Sequence, residues 1–137
     1  MSARQIVETF MRLAANRHDA AFDLIAPDFV NHAAGPQGRD GLRATVAALD
    51  HDLGEVTQEV HRVVTEGDTV VVHLSLLGVH RGSAMPLLTG VPVTGRPIRW
   101  TFIHIWRVAD GLIAEHWACR DDVGRLAQLG AWGGERA

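Results

Sequence analysis

This sequence has one cysteine, no tyrosine and no apolar run of membrane length. Cys119 alone cannot form an internal disulfide, and no Cys or His pair stands at zinc-finger spacing, so redox and structural-zinc roles are not expected. A membrane-spanning helix needs ~20 apolar residues, and the N-terminus has neither a basic n-region nor an apolar h-region, so a cytoplasmic protein is expected. No basic stripe is available to neutralise phosphates, and the net charge is -3, so nucleic acid is not an expected partner. What remains is a chain 47% hydrophobic and 21% charged, of a length to form one domain, 1–137, with a sizeable core.

Ser2-Ala-Arg-Gln5 forms a capping-box pattern, and Ile6, Val7, Phe10, Met11, Leu13 and Ala14 then recur at helical spacing up to about Arg17. Asp19 can cap a second, short helix that buries Phe22, Leu24 and Ile25 and stops at Pro27. Residues 28–38 read as a loop rich in turn formers, and Asp40 as the cap of a third helix running to about Leu53. The period then changes to two: Val56, Gln58, Val60, Arg62 and Val64 alternate with their neighbours, and Glu66-Gly67-Asp68 makes the turn. A strand from Thr69 to about Arg81 follows, apolar on both faces except at His73 and His80, then a Pro- and Gly-rich connection from Met85 to Pro97. Three helices before an antiparallel sheet predict an α+β fold, and residues 124–130 a short terminal helix.

The last third carries the chemistry. Thr101 to Arg120 reads as a hairpin around Asp110-Gly111, with histidines set among aromatic and aliphatic residues. Titratable groups on an apolar surface are costly unless paired or working. A two-residue turn pairs His104 with Trp117, and a three-residue loop pairs His104 with His116. The three-residue loop is preferred because it sets Trp106 opposite Ala114 and Phe102 opposite Ala118, large against small. The inner face then carries Trp100, Phe102, His104, Trp106 and His116, with Trp117 turned outward. Asp121, five residues past His116, lies ~16 Å along a straight strand and reaches this pocket only if the chain bends after Ala118.

The segments Asp28-Phe-Val-Asn31-His32, Gly38-Arg-Asp-Gly41, Pro92-Val-Thr-Gly95-Arg96-Pro97, Asp110-Gly-Leu-Ile113, Glu115-His-Trp117 and Asp121 to Gly130 together resemble the SnoaL-like polyketide cyclases, also called ester cyclases. The resemblance spans nearly the whole chain in order. It implies the fold of ketosteroid isomerase and nuclear transport factor 2, a cone-shaped barrel of a curved, mostly antiparallel sheet covered by the three N-terminal helices and enclosing a hydrophobic pocket. It also implies an intramolecular aldol ring closure without metal or cofactor, with an aspartate four residues after the Glu-His-Trp tryptophan as general acid/base, which is Asp121 here. The chain departs from many relatives in having His104 where they are acidic and His73 where they have Arg.

Asp121 and His104 are therefore the expected catalytic pair, the first as proton carrier and the second polarising or protonating a developing enolate oxygen. Asn31, His73 and His116 are expected to contact substrate, with Met85, Trp100, Phe102 and Trp106 as pocket wall. The bland alternatives are a helix cap for Asp121 or Asp122, core histidines, and a turn residue for Asn31. His18, His51, His61 and His80 are expected in solvent, and Cys119 as a small buried hydrophobe. The expected partners are a small hydrophobic substrate and a second copy docked on the outer sheet face around Trp117. An epoxide hydrolase or isomerase on the same fold, and a non-catalytic ligand-binding domain, are the competing functions.

Overall fold

The computed structural model describes residues 1–132. Helix α1, Ala3–Ala15, starts with the expected capping box: the Ser2 Oγ accepts from the Gln5 N–H and the Gln5 Oε1 accepts from the Ser2 N–H. It buries Ile6, Val7 and Phe10. Arg17 closes the helix in the left-handed region at φ 59, where the Arg17 N–H bonds the Ala14 carbonyl and the His18 N–H the Leu13 carbonyl. A 3-10 turn, Asp19–Leu24, follows with His18 rather than Asp19 at its cap position.

The next segment departs from expectation. Ile25–Asn31 is a strand, β1, so only α1 and the 3-10 turn precede the sheet. It takes in Ile25, expected at the end of the second helix, and 28–31, expected in a loop. Pro27 is tolerated because β1 is an edge strand. Helix α2, Gly38–Asp52, has Gln37 at its cap and Asp40 in its first turn. Strands β2 (Leu53–Glu66), β3 (Thr69–His80), β4 (Pro97–Ala109) and β5 (Leu112–Arg120) complete the sheet in the order β1-β5-β4-β3-β2, and α3 spans Asp122–Gln128. All neighbours are antiparallel except β1 and β5, which run parallel, and the sheet is not closed.

The inner face of the sheet is continuous core: Val70, Val72, Leu74 and Leu76 of β3 pair with Trp106, His104, Phe102 and Trp100 of β4. Helix α1 closes over it, with Phe10 edge-on to Trp106 at 5.5 Å between ring centroids. Truncating such an aromatic typically costs about 3–5 kcal/mol, so Phe10 is a main tie between helix and sheet.

Two buried polar residues fix the connection from β3 to β4. His80, expected in solvent, is fully buried. Thr94 N–H donates to its Nδ1 at 3.1 Å. Because Ser83 Oγ donates to the Val91 carbonyl at 2.7 Å, the His80 Nε2–H donates to Ser83 Oγ at 3.1 Å. Asp52, at the end of α2, accepts from the Ala84 and Met85 N–H groups at 2.7 and 2.8 Å. Burial works to raise its pKa, but the His51 hydrogen bond and these two N–H groups outweigh it and hold the carboxyl below its usual range. This staple sets Met85 into the wall of the cavity described next.

Candidate active site

The hairpin register is the local decision that builds the site. The turn has two residues, Asp110 and Gly111, with φ 52 and 77, the geometry of a type I′ turn. The extra residue is a bulge at Ala114: Val108 pairs with Ile113, then Arg107 with Glu115, Trp106 with His116 and His104 with Ala118. The expected direct pairing of His104 with His116 is therefore corrected, and Trp106 opposes His116 rather than Ala114. A bulge and a longer loop both shift the register by one residue, so the faces come out as expected. His104 and His116 are diagonal neighbours on the inner face. Trp117 points outward, stacked on His32 at 4.7 Å.

The large-against-small criterion failed because stacking won. Trp106 lies over His116 at 4.0 Å, and His104 sits between Phe102 and Trp106 at 5.0 and 5.4 Å. These rings form part of the wall of a cavity of about 200 Å³ between the sheet and helices α1 and α2. Its lining is mostly apolar, with Asn31, Thr57, Gln58, His104, His116 and Arg120 as polar groups on the sheet and Arg17, Thr45 and Asp50 elsewhere on the wall.

Hydrogen bonding orders the protons. The Ala33 N–H donates to Asn31 Oδ1 at 3.0 Å, which identifies that atom as the amide oxygen. His116 Nδ1 lies 3.0 Å from the same oxygen and so carries the proton that it donates. In a neutral ring His116 Nε2 is then an acceptor, and the 2.7 Å bond to His104 Nδ1 requires His104 to donate. His104 Nε2 is left with a lone pair and no partner among the described residues. The chain starts from a fixed point, because the Asn31 N–H and carbonyl are both held by the Gln37 amide and β1 is paired with β5 at Asn31 and His116.

Both rings are neutral at physiological pH. Burial, reinforced by the charge of Arg120, pushes His104 down to about 4. Burial, His104, Arg120 and His32 push His116 down to about 3. His104 is half-buried and lines the cavity. The chain contains no lysine, so no side-chain amine is available for Schiff-base chemistry.

Asn31, His104, His116, Met85, Phe102 and Trp106 are thus brought together. Asp121 is not. Strand β5 runs in register through Arg120, which opposes Phe102, and the Asp121 N–H continues the ladder to the Thr101 carbonyl. The bend needed after Ala118 is absent, and the exposed Asp121 caps α3 by accepting from the Gly124 N–H at 2.9 Å. Gly124 suits this contact, since an added Cβ would lie 2.2 Å from the carboxylate. His73 is also outside: it does share a face with Val71, Ser75 and Leu77, but that is the outer face, where it meets His61 at 4.7 Å. Trp100 is core rather than wall, buried beneath the Arg125 guanidinium at 3.7 Å. Cys119 is exposed rather than buried.

Arg120, Ala118 and Gln58 are lining residues that sequence reasoning missed. The signal for the first two was present, because period two from His116 gives Ala118 and Arg120 on the same face. Among the described residues no group of three or more His, Cys, Asp or Glu could hold a metal ion, and no helix is long and apolar enough to cross a membrane.

The family model described as SnoaL-like polyketide cyclase matches residues 4–129. A nogalonic acid methyl ester cyclase of Streptomyces nogalater is 32% identical over 83% of this chain and 86% of its own. An aklanonic acid methyl ester cyclase, DnrD of Streptomyces peucetius, is 31% identical over 79% of this chain and 72% of its own. Among solved structures, TsrD of Streptomyces laurentii superposes with a TM-score of 0.81 at 28% identity, covering 94% of this chain and 98% of that one. IdmH of Streptomyces antibioticus gives 0.80 at 30% identity, covering 95% and 99%.

Proposed function

Since this chain belongs to the SnoaL-like polyketide cyclase family, we propose that it closes a ring in a hydrophobic, polyketide-type carbonyl ester by intramolecular aldol condensation, with His104 as the proton carrier. The observation that carries this reading is the chain Asn31–His116–His104, which ends in an unpartnered imidazole nitrogen at an apolar cavity. His104 Nε2 takes a proton from the carbon beside a carbonyl, the enolate carbon attacks a second carbonyl of the same molecule, and the new alkoxide takes the proton back from His104. One C–C bond forms, and no atom is gained or lost. His116 and Asn31 position His104: a proton arriving on Nε2 is stabilised through the bond from Nδ1 to His116, which Asn31 holds in the accepting tautomer.

The weak basicity of His104 favours carbon acids activated by two carbonyls, whose protons a neutral imidazole can remove. The apolar walls fold the substrate so that the reacting carbons approach. We assign no proton-carrying step to Asp121, which leaves it as the cap of α3. The same reading places the enzyme in cytoplasmic antibiotic biosynthesis, working as a homodimer through the outer sheet face around Trp117.

The test is incubation with nogalonic acid methyl ester and aklanonic acid methyl ester in ¹⁸O-water, followed by mass spectrometry. A product of unchanged mass with a new ring supports the cyclase. A product two mass units heavier than the ¹⁶O hydrolysis product identifies a hydrolase and overturns it. Binding without turnover points to a ligand-binding domain.

A further inference from the structure

We propose that Arg120 is the oxyanion clamp of this cavity, its guanidinium fork holding the two oxygens over which charge spreads when a carbon between two carbonyls gives up its proton. The inference rests on the cyclase reading of the same site and on its ester substrate class. On the inner face Ala118 opposes His104, and the two diagonal neighbours of His104 on β5 are His116 and Arg120. Diagonal positions lie within reach of long side chains. His116 accepts from His104 Nδ1 at 2.7 Å on one side of Ala118, and Arg120 stands on the other. All four residues line the cavity, and Ala118 leaves room between the ring and the guanidinium. The fork is available, because neither Arg120 Nη group makes a hydrogen bond among the described residues. The carboxylate beside it, Asp122, lies 3.6 Å from Nε, beyond hydrogen-bond distance.

The remaining polar groups of the lining are farther from His104. Thr57 and Gln58 on β2, and Asn31 on β1, are each two strands from β4, about 10 Å, whereas Arg120 is on the adjacent strand. Thr45, Asp50 and Arg17 belong to the helical wall. Charge explains why a cation stands here. Behind burial as the larger cause, Arg120 helps to lower the basicity of both His104 and His116, which by itself opposes proton abstraction. Abstraction creates an imidazolium and an enolate together. A fork in contact with the enolate oxygens gains more from the anion than it loses to the more distant imidazolium. The step balances: the proton passes from carbon to His104 Nε2, and the C–H electron pair spreads over the two carbonyl oxygens. Both oxygens return to carbonyls when the carbon attacks. Two parallel N–H donors match two oxygens, and an ester carbonyl serves as one of them.

The probe is tropolone, a planar ring whose anion spreads one charge over two adjacent oxygens, with 2-methoxytropone as its neutral, methylated counterpart. Quenching of tryptophan fluorescence reads Kd for both, with tropolone ionised, in the wild type, Arg120→Met and Arg120→Lys. The wild type should bind tropolonate about 10- to 100-fold more tightly than Arg120→Met, and both should bind the methyl ether within about twofold of each other. Arg120→Lys should restore part of the difference. With the esters assayed above, Arg120→Met should lower kcat by about 10²- to 10³-fold and leave KM within about threefold, since the charge it meets exists only during the reaction. Equal tropolonate affinity in the wild type and Arg120→Met, or no binding of it by the wild type, overturns the assignment. So does an Arg120→Met variant that turns over ester at the wild-type rate. A loss shared equally by tropolonate and the ether marks a merely structural role and overturns it too. If the wild type turns over neither ester yet discriminates tropolonate from its ether through Arg120, the cyclase reading fails and the clamp stands.

Discussion

Two pairs of histidines lie on opposite faces of one sheet, His104 and His116 inside, His61 and His73 outside. Within each pair the rings are about equally close, with centroids at 4.9 Å for the inner pair and 4.7 Å for the outer. Their surroundings make them different chemical objects. The inner rings share a 2.7 Å hydrogen bond, are anchored by Asn31 and are stripped of charge by burial. The outer rings touch without bonding each other, and His61 is tied to Ser75 Oγ at 2.8 Å. What sets the inner pair apart is therefore not proximity but a fixed acceptor at one end of the chain, which determines where every proton lies, and a cavity at the other.

The sharpest way to break this contrast is to remove the terminal ring of the inner pair. His104→Phe keeps the stacking between Phe102 and Trp106 and deletes the proposed proton carrier, so ring closure should fall by about 10²- to 10⁴-fold with the fold retained. Near-wild-type turnover of a correctly folded variant would end the assignment. A smaller effect is expected from Asn31→Asp, which leaves an oxygen acceptor in place but adds a negative charge beside His116 Nδ1. That charge favours the imidazolium, raises the basicity of the pair and should move the acid limb of the kcat/KM profile to higher pH. A limb that stays in place would show that the pair does not govern the rate.

The inner pair also makes an acid-lability prediction. Its folded pKa values, about 4 and about 3, lie below the ordinary 6.5, so the unfolded chain binds more protons between those limits. Stability is then fully present above about pH 6.5 and is lost as pH falls toward 4, by roughly 2–4 kcal/mol for the coupled pair. Thermal melts at pH 7 and pH 4.5 should show the drop, and the double variant His104→Phe with His116→Phe should flatten it. An equal drop in that variant would locate the acid sensitivity elsewhere.

Much of this site was legible from the chain because period two survives errors in pairing. Displacing the extra residue from the turn to Ala114 changed the partner of every residue in β5 beyond it, yet left His104 and His116 on one face and Trp117 on the other. Asp121 was misplaced for the complementary reason. Its role came from resemblance, whereas its position depends on whether a strand bends, and the backbone continues to Thr101 without one. His73 was placed on the correct set of β3 neighbours but the wrong side, since a strand apolar on both faces does not tell which is covered. His80 and Asp52 were invisible because their partners are backbone groups of a distant loop, Ala84, Met85 and Thr94, which no local pattern announces.

The smallest expected effect belongs to the outer pair. The His73 pKa is lowered by partial desolvation, then by His61 and Arg62, so removing His61 should return it part of the way toward its ordinary value. His61→Ala also frees Ser75 Oγ, which keeps a second hydroxyl partner in Thr101 at 2.9 Å, so no buried polar atom is left stranded. Stability should change by no more than about 0.5–1 kcal/mol, and ring closure should stay within about twofold. A proton NMR titration of the imidazole C–H signals reads the first effect and the ester assay the second. If His61→Ala or His73→Ala lowered turnover more than severalfold in a folded protein, the two faces would be coupled, and the distinction between a working pair and a merely adjacent one would fail.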